Sequence, residues 1–385
     1  MHFSRPAMRK KSRGEHSASL YVHIPFCSGK CPYCAFYSVR PGKEDVSRYL
    51  ASLDLEISML GRSYGTLPEI RTAFIGGGTP TVLDPVQWRN LLSLLESRFR
   101  FLHGAEVTVE ANPNSIRQEH LDIWRKWRVT RVSVGVQSLN DGDLRALGRP
   151  HDSRQSLEAM SAVRNSGFSL SADLLFGLPL QDLRIWSRSL EGVLSAGAEH
   201  VSIYQLTLEK GTPWGDFPPE GLAEGYSFYR WAQYFLERRG LRQYEVASFA
   251  KPGKWCRHNV SYWQHRDVIG LGPSAWGYLN GVRTRNASNL DEYVSFIGKG
   301  DSPVCFSESL KGKDLASEAA ILALRTRWGI RFERYRKRFG EEALRGLLEE
   351  LDGLPPRLFR RNGVSVALSR EGMRVGNAIW ERLLP

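Results

Sequence analysis

The stretch Leu20-Tyr-Val-His-Ile-Pro-Phe-Cys-Ser-Gly-Lys-Cys-Pro-Tyr-Cys-Ala-Phe36 joins a short apolar run, typical of a strand, to a loop that carries three cysteines. Cys27, Cys31 and Cys34 follow the spacing C-x3-C-x2-C. Three thiolates this close together can hold one [4Fe–4S] cube, whose complete ligation by the protein would take four. The fourth iron then stays open, as one position does in catalytic metal sites. The loop therefore predicts an iron–sulfur centre.

An iron with an open position can bind a small molecule through an amine and a carboxylate. S-adenosylmethionine offers both groups, and its radical chemistry belongs to the cofactor rather than to the protein. The loop therefore indicates radical S-adenosylmethionine chemistry. Zinc is the alternative, but it would require a fourth Cys or His in a paired spacing. His23 is near, yet on an alternating strand it falls outside the loop.

Composition narrows the class of protein further. Five cysteines in 385 residues are few and odd in number, which argues against a disulfide framework. No apolar run approaches the about 20 residues that a membrane span needs. Residues 1–18 are polar and basic and lack the apolar centre of a secretory signal. We expect a disordered basic tail there, and a cytoplasmic protein whose thiols stay reduced.

The formal net charge of +12 is compatible with an anionic partner. Arginine is scattered along the chain without a long basic block, so no nucleic-acid partner is expected, and a nucleic-acid-binding regulator that uses the C-terminal module is only a minor alternative. Acidic lipid head groups or porphyrin propionates are anionic groups that would suit this positive net charge. Peripheral association with a membrane and a homodimer are both left open.

Between residues 20 and 250, six strand-like runs alternate with amphipathic helical patterns, which predicts βαβ units and a parallel sheet. Right-handed crossovers would curl the units into an open, partial barrel. The predicted strands are 20–25, 72–75, 105–110, 131–136, 170–176 and 200–206, and the predicted helices are 46–60, 85–99, 116–127, 154–165, 183–195 and 223–239.

The pattern changes past about residue 305. Helices are predicted at 309–325 and 332–350, followed by a small strand pair at 364–368 and 369–372. The expected fold class is α/β: a partial (β/α)6 TIM-like barrel of the radical S-adenosylmethionine type with a small C-terminal winged-helix-like α+β domain. We place the barrel domain with its extension at 19–300 and the C-terminal domain at 301–385, with the linker near 298–303.

Polar residues stand where the predicted strands end, which is where parallel barrels gather their chemistry. Gly76-Gly-Gly-Thr-Pro80 follows the second strand, and its glycines let the backbone approach a ligand and expose N–H groups, which suggests a cradle for the methionyl amine and carboxylate of the cofactor. Glu110 ends the third strand, Gln137 directly follows the fourth, and Asp173 is expected to sit equivalently on the fifth. Arg149 adds a cation that could pair with a carboxylate.

His258-Asn-Val-Ser-Tyr-Trp263 is a second distinctive patch. Haem iron is commonly held by His, and aromatic faces suit a flat macrocycle. A packed, hydrogen-bonded histidine beside core aromatics is an equally weighted alternative. The remaining cysteines, Cys256 and Cys305, are expected to be structural.

Together these motifs resemble the anaerobic coproporphyrinogen oxidase-like branch of the radical S-adenosylmethionine superfamily, from about Leu20 to the C-terminus. Two functions occur in this branch: the oxidase decarboxylates coproporphyrinogen III to protoporphyrinogen IX, and a haem chaperone binds haem and delivers it to respiratory proteins. The resemblance favours the chaperone. The oxidase has an additional Cys where this chain has Phe36, and a longer segment before the cluster, whereas the 258–263 motif marks the chaperone.

By the same resemblance, Cys27, Cys31 and Cys34 are the cluster ligands, and His258 is the candidate haem ligand. The resemblance implies no catalytic residue of the chain itself and leaves enzymatic turnover open. The implied contacts to S-adenosylmethionine are Tyr21, Tyr33, Gly77, Gly78, Thr79, Glu110, Gln137, Arg149 and Asp173.

Overall fold

The structure, a computed structural model, describes residues 17–384. Most of the predicted basic tail lies outside these residues. Ser17 and Ala18, which the prediction assigned to the tail, instead begin the first strand.

Six parallel strands form the centre of the molecule, as predicted, and each pairs with the next in the chain. They are β1 (Ser17–Ile24), β2 (Glu69–Gly77), β3 (Phe101–Ala111), β4 (Arg131–Gln137), β5 (Ser169–Phe176) and β6 (His200–Gln205). The helices of this part are α1 (Asp45–Tyr64), α2 (Pro85–Arg98), α3 (Gln118–Lys126), α4 (Asp141–Ala146), α5 (Ser153–Asn165), α6 (Leu183–Ser195), α7 (Pro213–Asp216) and α8 (Gly225–Arg238).

Local sequence explains why these units form. In β1, Leu20, Val22 and Ile24 are fully buried in the core between sheet and helices, while the alternate residues Tyr21 and His23 face the barrel interior. Helix α2 begins at Asp84, whose carboxylate accepts the backbone N–H groups of Val86 and Gln87. Pro85 follows at the first helical position, where its missing N–H costs nothing.

Later strands extend the sheet at both edges. They are β7 (Arg242–Gln243), β8 (Ser248–Ala250), β9 (Val268–Leu271), β10 (Trp276–Leu279), β11 (Val282–Asn286) and β12 (Val304–Glu308), accompanied by helices α9 (Arg257–Trp263) and α10 (Leu290–Gly298). The order is β12-β11-β10-β9-β1-β2-β3-β4-β5-β6-β8-β7, so within residues 17–384 the barrel stays open. Strand β9 runs parallel to β1 and was not predicted, because four residues are too short a run to identify.

A smaller α+β unit with its own apolar core ends the chain. Its elements are α11 (Gly312–Leu324), β13 (Ile330–Arg331), α12 (Phe332–Phe339), α13 (Glu341–Asp352), β14 (Phe359–Arg361), β15 (Ser365–Leu368), α14 (Arg370–Arg374) and α15 (Gly376–Leu383). The strands form an antiparallel sheet in the order β13-β15-β14.

Three details of this region differ from the sequence-based expectation. The helix predicted at 332–350 is divided into α12 and α13 at Gly340, whose φ of +94° ends α12. Residues 369–372 begin helix α14 rather than a strand, because the Ser369 hydroxyl accepts the Gly372 N–H and caps the helix. Strand β12 pairs with β11, so the large sheet continues to Glu308, beyond the boundary placed after residue 300. The stretch 298–303 is a short turn held by the Ala287 N–H, which donates to the Pro303 carbonyl at 2.7 Å.

Within residues 17–384, no helix combines the length and apolar character needed to cross a membrane.

Candidate functional site

The cysteine loop leaves β1 at its carboxyl end and is closed by backbone hydrogen bonds. The Cys27 N–H donates to the Val39 carbonyl at 3.0 Å, and the Val39 N–H donates to the Pro25 carbonyl at 2.8 Å. Cys27, Cys31 and Cys34 are all free and partly exposed. The loop therefore presents three available thiols beside the ends of the neighbouring strands.

The donor set fits a [4Fe–4S] cube better than a single metal ion. Within residues 17–384, no three His, Cys, Asp or Glu side chains converge as the ligands of one ion must. Each cysteine ligand of a cube binds a different iron, so three thiols need not converge on one point. His23 offers no fourth ligand, because its ring nitrogens lie 3.0 Å from the Tyr21 hydroxyl and 2.9 Å from the Tyr37 carbonyl.

The glycine-rich end of β2 lies directly against the cysteine loop. Thr79 Oγ1 lies 3.1 Å from Cys27 Sγ. A Cβ on Gly78 would stand 2.5 Å from the Phe26 carbonyl oxygen, so no larger residue fits there. Gly77 has a φ of +107°, which disfavours any side chain.

Three backbone N–H groups of this turn donate to partners within the protein. The Gly78 N–H donates to the Ile24 carbonyl at 2.8 Å, and the Thr79 N–H donates to the Phe26 carbonyl at 2.7 Å. The Gly77 N–H donates to the Glu110 carboxylate at 3.0 Å. The turn therefore holds the loop and Glu110 in place rather than offering free N–H donors.

Two carboxylates, Glu110 and Asp173, lie inside the barrel near the carboxyl ends of β3 and β5. Burial, and then the charge of Asp173, raise the pKa of Glu110 to about 7. Burial also raises the pKa of Asp173, whose carboxylate accepts the Ser133 hydroxyl at 2.8 Å. Two buried carboxyl groups that raise each other's charging cost favour a cationic ligand between them. Gln137 ends β4 with a φ of +64° at an irregularity in the register between β4 and β5.

Arg149 connects the cysteine loop to the strand ends. Its Nη1 lies 3.5 Å from Cys31 Sγ, and its Nη2 donates to the Asn112 side chain and, at 3.2 Å, to the Gly135 carbonyl. Its buried Nε has no hydrogen-bond partner within residues 17–384. Tyr33 packs beside it, with its ring 6.1 Å from that of Trp214.

The structure thus brings most of the predicted site residues together at the carboxyl ends of the strands. Direct contacts link the loop to the glycine turn, the turn to Glu110, and Arg149 to Cys31. Tyr21 lines the interior just below them, where its ring packs 6.4 Å from that of Phe74. Their contacts with S-adenosylmethionine stay predictions.

His258 lies deeper in the barrel than this group, and its ring packs 5.3 Å from that of Phe74, which in turn packs against Tyr21. Its Nδ1 lies 3.1 Å from the Thr72 hydroxyl, and its Nε2 lies 3.2 Å from the Tyr262 hydroxyl. Thr72 precedes Gly77 by five residues in β2, about 16 Å along the strand. With 1% of its surface exposed and both ring nitrogens engaged, His258 matches the packed histidine alternative. Its role as a haem ligand stays a prediction, against which this packing argues.

Sequence reasoning missed a polar network deep in the barrel. Arg131 is 5% exposed and donates to the Ser171 hydroxyl at 2.7 Å, with His200 Nδ1 at 3.1 Å. Glu106 accepts backbone N–H groups from α9. The available signal was a charged residue earlier in two of the strands: Glu106 precedes Glu110 by four residues in β3, and Arg131 precedes Gln137 by six residues in β4.

Comparison with known proteins agrees with this geometry. Residues 21–186 match the Radical SAM superfamily. Heme chaperone HemW of Bacillus subtilis is 32% identical over 379 residues, covering 95% of this chain and 99% of that protein. Radical S-adenosyl methionine domain-containing protein 1, mitochondrial, of Bos taurus is 37% identical over 346 residues, covering 84% and 76%.

A solved structure has the same fold. Coproporphyrinogen III oxidase (HemN) from Escherichia coli matches with a TM-score of 0.82 at 22% identity, covering 96% of this chain and 90% of that chain. This similarity supports the fold alone. The sequence similarity to the Bacillus subtilis protein extends over nearly the whole of both chains, and on that basis the chain belongs to the heme chaperone HemW family within the Radical SAM superfamily.

Proposed function

We propose that this protein is a haem chaperone, which binds haem and delivers it to respiratory proteins. The observation that carries the proposal is the 32% identity to Heme chaperone HemW of Bacillus subtilis, over 95% of this chain. Phe36 adds support, because the resemblance to the oxidase would place a Cys there. The Phe36 ring is instead 67% exposed at the edge of the loop.

Membership of the Radical SAM superfamily implies a [4Fe–4S] cluster and S-adenosylmethionine. Cys27, Cys31 and Cys34 would hold the cluster through their thiolates. Glu110 and Asp173 face the space beside the loop and would suit the positive groups of the cofactor. When bound, the two groups supply radical chemistry, which is theirs rather than the protein's.

The residues of the chain itself fix the geometry of this end of the barrel. Arg149 places a guanidinium beside Cys31 and ties the loop to Gly135 in β4. Thr79 lies against the Cys27 sulfur. Both contacts hold the cysteine loop over the strand ends, which suits a preorganised binding site.

Several finer predictions belong to the same proposal. Reduced thiols suit the cytoplasm. Haem acceptors of the respiratory chain are the expected partners, and no nucleic acid is expected. Peripheral membrane association and a homodimer stay open.

One pair of measurements tests the proposal against the oxidase. The cluster-reconstituted protein is incubated anaerobically with coproporphyrinogen III, S-adenosylmethionine and a strong reductant, and the porphyrins are separated by chromatography. The same preparation is titrated with haem. Saturable haem binding without decarboxylation supports the chaperone. Formation of protoporphyrinogen IX, or an absence of haem binding, would overturn it.

A further inference from the structure

A pocket of about 400 Å³ lies where the edge of the barrel meets the C-terminal unit. Three arginines line it: Arg242 from β7, Arg327 from the turn after α11, and Arg360 from β14. Trp255 and Trp328 form aromatic walls, with their rings perpendicular and 5.5 Å apart. The volume falls within the range of small-molecule sites. Both structural units therefore contribute to one cationic, aromatic cavity.

No Asp or Glu among the described residues 17–384 lines the pocket to balance its positive charge. Arg360 donates to the carbonyl oxygens of Leu368 at 3.2 Å and Arg327 at 3.1 Å. Burial, and then the charges of Arg242 and Arg360, lower the pKa of Arg327. Three like charges held together repel one another, and an anionic ligand would relieve that repulsion.

These walls select a particular ligand chemistry. Guanidinium groups bind carboxylates through paired hydrogen bonds, and indole rings pack against flat aromatic surfaces. Haem combines a flat macrocycle with two carboxylate side chains. We propose that this Arg–Trp pocket is the haem-docking site, with the arginines on the propionates and the indole of Trp328 against the macrocycle. The proposal rests on the haem chaperone function proposed above.

The lining also suits a carrier rather than a permanent haem protein. Among residues 17–384, no His, Cys, Met or Tyr lines the pocket, so this part of the chain offers the iron no axial side-chain ligand there. The axial positions stay available to ligands from an acceptor protein. Haem that is held only through its propionates would then pass to the acceptor protein, whose side chains coordinate the iron.

The pocket lies away from the cluster site. Ala250 lines it and pairs with His200, the first residue of β6, so the pocket stands at the amino ends of the parallel strands. The cysteine loop stands at their carboxyl ends. Haem bound in the Arg–Trp pocket would therefore be out of reach of radical chemistry at the cluster and would be carried unchanged.

Haem titration of cluster-loaded variants tests the assignment. Arg242→Ala removes an exposed side chain with one positive charge from the pocket, and Trp328→Leu removes a wall that is 37% exposed. Each should weaken haem binding by about tenfold, as expected for a charge-assisted contact or an aromatic wall. Arg345→Ala, an exposed arginine of α13, is the matched control and should bind as the parent does.

A second measurement leaves the pocket unaltered and changes the ligand instead. Haem dimethyl ester, which lacks the propionate charges, should bind the parent protein at least about tenfold more weakly than haem. His258→Gln should leave the visible spectrum of bound haem unchanged. Equal binding of haem and its ester, or unaltered affinity in both pocket variants, would overturn the pocket assignment. A parent protein that binds no haem would instead overturn the proposed function.

Discussion

The three cysteine sulfurs lie in different surroundings although they share one loop. Cys27 Sγ contacts the Thr79 hydroxyl at 3.1 Å, and Cys31 Sγ has the Arg149 guanidinium at 3.5 Å. Burial, the largest cause, raises the pKa of the Cys34 thiol. Such thiols bind metal as thiolates, so loading of the loop should depend on all three.

Cys31→Ser should abolish cluster binding, because the loop then keeps only two thiolates for the cube. Iron and acid-labile sulfide are counted after anaerobic reconstitution, together with the visible absorption. Cys305→Ser is the control, since Cys305 is an exposed cysteine in β12, outside the loop. A full complement of iron and sulfide in the Cys31 variant would contradict the ligand assignment.

Glu56 is a buried carboxyl outside the site, and it makes stability depend on pH. Its carboxylate accepts hydrogen bonds from the Gly272 N–H at 2.9 Å, the Asn286 side chain at 2.6 Å and the Tyr293 hydroxyl at 2.7 Å. Burial outweighs these bonds and raises its pKa from 4.5 to about 7. The folded state therefore holds this proton more tightly than the unfolded state does.

The direction of the pH dependence follows from the linkage between protonation and folding. Stability from protonated Glu56 is fully present below pH about 4.5 and is lost as the pH rises to about 7, by up to about 3 kcal/mol. Glu56→Gln should remove this loss, so the difference in unfolding free energy between parent and variant should change between pH 5 and pH 8. Urea denaturation of parent and variant at both pH values, with the same cluster content in the two proteins, measures this difference. A constant difference would show that Glu56 does not titrate in this range.

At the scale of elements, the 258–263 motif forms most of the short helix α9, and its contacts fix the position of that helix. The Glu106 carboxylate accepts the N–H groups of Arg257 at 3.0 Å and His258 at 2.9 Å, at the amino end of the helix. His258 then bonds to Thr72 in β2. The motif thus attaches α9 to the interior of the barrel.

Glu106→Gln should destabilise the protein by about 2 kcal/mol, because an amide replaces a charged acceptor of two buried N–H groups. Chemical denaturation gives the loss. Glu119→Gln, at an exposed position in the first turn of α3, should change stability by only a few tenths of a kcal/mol. Similar losses of unfolding free energy in the two variants would show that Glu106 does not hold α9 in place.

At the scale of the whole molecule, one arginine joins the barrel to the C-terminal unit. The Arg325 guanidinium lies 4.5 Å from the ring centre of Trp263 in α9 and 4.3 Å from that of Trp380 in α15. Its carbonyl accepts the Val246 N–H at 2.9 Å. Because the Arg–Trp pocket is built from both units, this contact also keeps the pocket assembled.

Arg325→Ala should loosen the docking of the two units, since it removes two partly buried cation–π contacts worth about 1–2 kcal/mol each. Limited proteolysis between residues 309 and 311 should become faster, and haem affinity should fall with it. Arg238→Ala, which removes an exposed contact 5.3 Å from the Tyr234 ring, serves as the control. An unchanged cleavage rate would contradict this account of the junction.

The sequence by itself determined the cysteine loop and the six βα units, because spacing and periodicity report local structure directly. It predicted β1 and the polar strand ends, and the structure confirms the α/β fold class. The contacts assigned to S-adenosylmethionine stay predictions, although the structure gathers most of those residues at one end of the barrel.

Only the tertiary structure decided the rest, because local sequence does not encode which distant segments meet. It placed β9 beside β1, buried His258 against Thr72, and brought Arg242 to Arg360 across the junction of two units. In each case the partner lies far along the chain. Burial and charge there depend on packing that no local pattern records.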